Sequence, residues 1–228
     1  MSMLLPSPHR HEARSGTSAA SPIVFAVDDD ASVRELLKRL IESAGWQLES
    51  FASAREFLSH PRALVPSCVV LDIGLPDISG LDVQQRLAGR GDLPIIFITG
   101  QADVPMTVRA MKAGAAEFLT KPFRSDVLLE AIGRAVERSR AALDQEAELQ
   151  ALRGRYGSLS SREREVMALV VAGRLNKLVG AELGISEITV KAHRGKMMRK
   201  MKARSLPELV HMAAKLGAQA PQALAKAA

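Results

Sequence analysis

Cysteine is nearly absent: Cys68 is the single one in 228 residues, so no disulfide can form within the chain. Its place in the apolar run Cys68-Val69-Val70-Leu71 predicts a thiol packed as a small hydrophobe. Nowhere do about eighteen apolar residues run uninterrupted, and the first residues lack the long apolar core of a secretory leader. These absences exclude a disulfide scaffold and argue against a membrane span or membrane partner. A soluble protein of the reducing cytoplasm is expected.

What is present is a 47% hydrophobic chain with a formal charge of +6, long enough for one medium core and a second small one. The charge is uneven. Residues 154–216 hold 13 Lys/Arg against 5 Asp/Glu, and the remainder holds 18 against 20. A basic C-terminal domain joined to a near-neutral one suggests that only the former meets a polyanion.

Residues 1–21 are rich in Pro, Ser, His and Arg without apolar periodicity and are expected to form a disordered tail. From residue 22 to about 138, short apolar runs alternate with helical patterns. Strands are predicted at 23–27, 47–51, 68–71, 95–99 and 117–120, with helices at 32–43, 53–58, 81–88, 104–113 and from 125 onward. In the first helix Val33, Leu36, Leu37, Leu40 and Ile41 form an i, i+3, i+4, i+7, i+8 stripe. Five parallel strands joined by helices give an α/β, doubly wound sheet, whose ligand site belongs at the carboxyl ends of the strands.

The fifth helix is predicted to continue to about Leu152 and to break at Arg153-Gly154-Arg155-Tyr156-Gly157. Residues 139–157 are therefore expected to act as a semi-rigid helical linker. Residues 158–217 are purely helical in pattern and form the smaller, all-α domain. Ser160 or Ser161 caps its first helix, Gly184 ends its second, Ser186 caps a third running through Met201, and Ser205 with Pro207 opens a fourth. The final residues, 218–228, are Ala-rich and expected to be flexible.

The chemistry lies at the predicted strand ends. Asp28 and Asp29 close one apolar run, Asp72 another, Thr99 a third, and Lys121 follows the last, within Leu119-Thr120-Lys121-Pro122. Two carboxylates about 4 Å apart repel by roughly 4 kcal/mol at an effective dielectric near 20, so the cluster calls for a cation. A hard, oxygen-preferring Mg²⁺ suits it and also binds phosphoryl oxygens. Each residue alone is ordinary, as a turn former or helix cap. Their conjunction, in this order, describes a phosphoryl-accepting site.

This arrangement resembles the receiver domain of two-component response regulators, which has a flavodoxin-like sheet, over residues 22–138. The acceptor segment is Val70-Leu71-Asp72-Ile73-Gly74-Leu75-Pro76-Asp77-Ile78-Ser79-Gly80. The resemblance implies that Asp72 accepts the phosphoryl group and that Asp28, Asp29, Asp72 and the Gly74 carbonyl hold Mg²⁺. It further implies that Thr99 and Lys121 bind phosphoryl oxygens, and that Phe118 turns inward when the threonine moves. The run Asp103-Val104-Pro105-Met106-Thr107-Val108-Arg109-Ala110-Met111-Lys112-Ala113-Gly114-Ala115 is similar to the FixJ branch, which implies dimerisation on phosphorylation.

The C-terminal segments Leu159-Ser160-Ser161-Arg162-Glu163-Arg164-Glu165-Val166 and Ile185-Ser186-Glu187-Ile188-Thr189-Val190-Lys191-Ala192-His193 resemble the helix-turn-helix of the LuxR type. The recognition helix would begin at Ser186, with Ile188, Val190, Met197 and Met201 facing the core. Thr189, Lys191, His193, Arg194, Lys196 and Lys200 are the candidate DNA contacts. His193 has no cysteine or carboxylate partner at helical spacing that would make it a metal ligand. Gly195 costs about 1 kcal/mol relative to Ala within a helix and leaves room for a close approach of DNA.

The resemblance implies a sensor histidine kinase as phosphoryl donor, promoter DNA as target, RNA polymerase as a further partner, and control of transcription, activation being favoured. A phosphatase using an aspartyl intermediate is the first alternative, but Ile73 and Gly74 stand where its second acid belongs. A phosphorylation-independent DNA-binding or partner-binding module is the second, and the intact Asp, Thr and Lys set argues against it. No enzyme activity beyond the chain's own modification is expected.

Overall fold

Every residue of the strand that contains Cys68 is buried. In the computed structural model, which describes residues 21–217, it forms the middle of a five-stranded sheet in the order β2-β1-β3-β4-β5. The strands are β1 (Ile23–Val27), β2 (Gln47–Phe51), β3 (Ser67–Asp72), β4 (Ile95–Thr99) and β5 (Glu117–Thr120), and all pair in parallel. The expected tails, Ser21 apart, lie outside the described residues.

Helices cover both faces. They are α1 (Ala31–Ser43), α2 (Ala54–Ser59), α3 (Gly80–Arg86), α4 (Val104–Lys112) and α5 (Ser125–Gly157). Because successive strand side chains point to opposite faces, Phe25, Val27, Val69, Leu71 and Phe97 share one core with Phe57, Val83 and Ala110 of α2, α3 and α4. Val24, Ala26, Val70, Ile96 and Ile98 share another with Leu37 and Ile41 of α1 and Leu128 and Ile132 of α5. Burial on both faces explains why these strands read as continuous apolar runs. Cys68 lies in the second core, where burial pushes its thiol pKa up to about 12.

β1 has β2 on one side and β3 on the other, so the order of the sheet reverses there and leaves a crevice beyond the carboxyl ends. Val27 pairs with Leu71, Asp72 with Ile98 and Thr99 with Thr120. This register brings Asp28, Asp72, Thr99 and Lys121 to one end of the sheet.

The described residues divide into two compact units, which meet between residues 140 and 141. Ser139, expected in the linker, is fully buried in the first unit: its Oγ accepts from the Ser67 N–H at 2.9 Å and donates to the Asp92 carbonyl. The expected helix break at 153–157 is absent, since α5 continues to Gly157. Leu152 is buried and Tyr156 half-buried in the core of the second unit. Burying a large apolar side chain contributes roughly 1.5–3 kcal/mol, which offsets the cost of about 1 kcal/mol for Gly154 inside a helix.

The rest of the second unit is α6 (Ser161–Val171), α7 (Asn176–Leu183), α8 (Glu187–Met201) and α9 (Leu206–Gly217). A capping box opens α6: the Ser160 hydroxyl accepts from the Glu163 N–H, and the Glu163 carboxylate accepts from the Ser160 N–H at 2.8 Å. Gly184 ends α7 in the left-handed conformation, with φ of 66°, and Ser186 caps α8. Gly180 lets α7 approach the turn, for a Cβ there would stand 2.7 Å from the Ile185 carbonyl oxygen. Val166, Met167, Val170, Val179, Val190, Met197, Met201 and Leu209 fill the core.

Candidate functional site

The turn after β1 is held from α1. Asp28 Oδ1 accepts from the Asp30 N–H at 3.0 Å, Asp30 caps α1 through the Ser32 N–H at 2.7 Å, and the Arg34 guanidinium donates to the carbonyls of Asp28 and Asp29 at 2.7 and 2.9 Å. Asp28 is thereby buried and Asp29 exposed. After β3, the Gly74 N–H donates to Asp72 Oδ1 at 3.0 Å, so the described contact of Gly74 is its amide. Asp77, further along the same loop, accepts from the N–H groups of Ala54 and Arg55 at 3.2 and 2.9 Å. Burial alone would raise the Asp77 pKa, but these backbone donors hold it below the ordinary value.

Lys121 joins the two strand ends. Its Nζ lies 2.6 Å from Asp28 Oδ2 and 2.7 Å from Asp72 Oδ2. Burial pulls the ammonium pKa down, yet hydrogen bonds to the two carboxylates raise it above the ordinary lysine value. Asp28 is shifted up, because its desolvation outweighs the Lys121 hydrogen bond. Asp28, Asp29 and Asp72 each offer an oxygen within 4.8 Å of the others. An all-oxygen set of three carboxylates facing one ammonium suits a hard dication such as magnesium.

Thr99 is buried, and its hydroxyl exchanges hydrogen bonds of 3.2 Å with the Gln101 backbone. The Lys121 N–H donates to the Thr99 carbonyl at 2.7 Å, tying β5 to β4 just before the lysine side chain. Phe118 is half-buried on the α4 face of the sheet, its ring centroid 6.2 Å from that of Phe97. Gly80 packs at the other end of the acceptor loop, where a Cβ would lie 2.5 Å from the Asp72 carbonyl oxygen.

In the second unit, α8 presents its candidates unequally. Lys191 is exposed and pairs with Glu187 at 3.0 Å. Lys196 is exposed, His193 half-buried with Nδ1 lacking a partner, and the Thr189 hydroxyl lies 2.8 Å from that of Ser186. Arg194 donates instead to Asn176 of α7 at 3.1 Å, and Lys200 pairs with the buried Glu163 of α6 at 2.6 Å. Both cations thus lock the helices together. Ile188 departs from its expected place in the core, being 79% exposed. It precedes Val190 by two positions, about 200° around the helix, so the two cannot share a face.

Arg34, Asp77 and Gly80 were not among the expected site residues. Asp77 and Gly80 lie within the acceptor segment that the resemblance singled out, whereas nothing in the spacing of Arg34 points to the carbonyls it holds.

Comparison with known proteins follows this division. Residues 24–133 match the response regulator receiver domain, and residues 157–213 match the bacterial regulatory proteins of the luxR family. Nodulation protein W of Bradyrhizobium diazoefficiens is 49% identical over 204 residues, covering 89% of this chain and 90% of that protein. Transcriptional regulatory protein FixJ of the same organism is 40% identical over 195 residues, covering 85% and 95%. The solved structure of response regulator StyR superposes with a TM-score of 0.78 at 45% identity, covering 86% of this chain and all of the other. Among the described residues, no helix is long and apolar enough to cross a membrane.

Proposed function

Because the chain belongs to the FixJ-like response regulators, transcription regulators of two-component systems that join a receiver domain to a LuxR-type helix-turn-helix, we propose that phosphorylation of Asp72 controls its DNA binding. The observation that carries this is Lys121 bridging Asp28 and Asp72 beside the acidic cluster. Three carboxylates would repel an incoming phosphoryl group, and one fixed ammonium offsets only part of that charge. A magnesium ion held by Asp28, Asp29, Asp72 and the Gly74 carbonyl would supply the remaining positive charge against the phosphoryl oxygens.

A sensor histidine kinase is the donor. An Asp72 carboxylate oxygen forms the new P–O bond as the donor's P–N bond breaks, so the aspartate is a nucleophile and the phosphohistidine nitrogen the leaving group. Gly74 and Lys121 orient the two oxygens before transfer. Lys121 then faces the phosphoryl oxygens, where its charge contributes more than in the resting site.

The switch follows from Thr99 and Phe118. Their present partners, the Gln101 backbone and the Phe97 ring, define one of two packings. Bonding of the Thr99 hydroxyl to a phosphoryl oxygen would empty space toward which Phe118 moves, and phosphorylation biases the equilibrium only through such differential contacts. Val104, Val108 and Met111 are exposed on α4, which supports a homodimer formed on this face. The dimer then presents α8 to promoter DNA, with RNA polymerase as the partner of the bound state.

At the DNA, Lys191 and Lys196 are the phosphate-reaching cations, with Thr189 and His193 beside them. Arg194 and Lys200 are left out because a part-buried Asn176 bond and the buried Glu163 hold them to other helices, whereas the Lys191–Glu187 pair is exposed within α8 and easily given up. Selection of duplexes by the full chain, with and without acetyl phosphate and magnesium, tests the proposal. Treated wild type should enrich a sequence that Asp72→Ala does not; equal enrichment by both would contradict phosphorylation control.

A further inference from the structure

The outward face of α8 is apolar and small where the helix would enter a groove. Val190, Met197 and Met201 point into the core. At about 100° per residue, Ile188, Ala192, Gly195 and Arg199 therefore stand on the opposite side, flanked by Lys191 and Lys196. Ile188 sits in the first turn, 79% exposed. Behind it come only a methyl group and a glycine, over which the Arg199 guanidinium folds: a Cβ at Gly195 would lie 3.7 Å from Arg199 Nη1.

A singly exposed isoleucine is ordinary on a protein surface, so its surroundings decide its meaning. Lys191 and Lys196 rim the stripe, and Arg199 closes its far end, with the charge that phosphates require. The N-terminal residues of a helix-turn-helix recognition helix are those that reach base edges in the major groove. The one apolar group on that groove's floor is the thymine C5-methyl. A β-branched side chain, stiff about χ1, meets such a group with little loss of rotamer freedom.

We infer that Ile188 is a specificity-determining residue that packs on a thymine methyl in the major groove of the target site. The inference rests on α8 being the DNA-reading helix and adds which base one of its residues reads. Ala192 and Gly195 serve the same contact by adding no tall side chain of their own in the two turns after Ile188, and Arg199, whose guanidinium lies over Gly195, stands about three turns away. Removing either partner of the contact should cost about one buried methyl group, which is about fourfold in affinity.

The test uses the full chain treated with acetyl phosphate and magnesium. A duplex site is selected from a random pool, and each thymine is then replaced singly by deoxyuridine, which lacks only the methyl. One replacement should weaken wild-type binding about fourfold and leave Ile188→Ala unaffected, while both proteins keep the same salt dependence. If no sequence is enriched, the DNA-binding assignment falls and this inference with it. If a site is enriched but no thymine methyl matters to wild type, this inference alone is overturned. Unchanged binding by Ile188→Ala with lost transcription from the same site would assign the residue to a protein contact and also overturn it.

Discussion

Lys121 Nζ lies 2.7 Å from Oδ2 of Asp72 while the same ammonium holds Asp28 at 2.6 Å, so Asp72 is restrained by the group that, on the function proposed above, would meet its phosphate. Breaking a buried pair by removing one partner costs about 3–5 kcal/mol, and the partial exposure of Lys121, 20%, reduces this. Lys121→Met is expected to lose about 1–3 kcal/mol of stability without divalent ions. Urea unfolding should show magnesium restoring most of that loss, because the dication takes over the ammonium's neutralising role. No recovery with magnesium would contradict a shared cation site.

Gly80 is required by contact rather than by conformation. A Cβ placed 2.5 Å from the Asp72 carbonyl oxygen meets backbone that cannot swing away. Gly80→Ala should destabilise the first unit by about 1–3 kcal/mol, as overpacking does, and slow phosphorylation by displacing Asp72. Thermal unfolding and the rate of labelling by acetyl phosphate measure the two effects separately.

Acid should weaken the second unit through Glu163. Lys200 and then the Ser160 N–H hold its carboxyl below the ordinary glutamate value. A depressed acid contributes stability that is fully present above its unfolded pKa of about 4.3 and is lost as pH falls through the folded value. Wild-type stability should therefore drop as pH falls below about 4.3, and Glu163→Gln should show a shallower drop. Equal pH dependence in the two proteins would contradict the pairing.

Cations on α8 should separate by salt dependence. Lys191→Ala and Lys196→Ala should each reduce the slope of log affinity against log salt by about 1. Lys200→Met should leave the slope unchanged and lower stability instead, because its ammonium belongs to Glu163. A reduced slope for Lys200→Met would return that residue to the DNA face.

The strand ends were legible because their signals are local: an apolar run closed by Asp28, Asp72 or Thr99 marks both the strand and its carboxyl end. The bond from Lys121 to Asp72 spans 49 positions and no spacing reveals it; the family resemblance implied only that Lys121 binds phosphoryl oxygens. The roles of Arg194 and Lys200 depend on which neighbouring helix supplies Asn176 or Glu163, which no spacing within α8 reveals. Ile188 was misplaced although its helical phase against Val190 was available. The unbroken α5 was missed for a different reason, since Gly154 is unfavourable locally and only the tertiary burial of Leu152 and Tyr156 outweighs it.

The most direct measurement is the mass of the intact chain after incubation with acetyl phosphate and magnesium, for wild type and Asp72→Ala. Wild type should gain the mass of one phosphoryl group, lost again in mild base, with the site mapping to Asp72, and Asp72→Ala should gain none. Labelling of Asp72→Ala at the wild-type rate and extent would contradict the account.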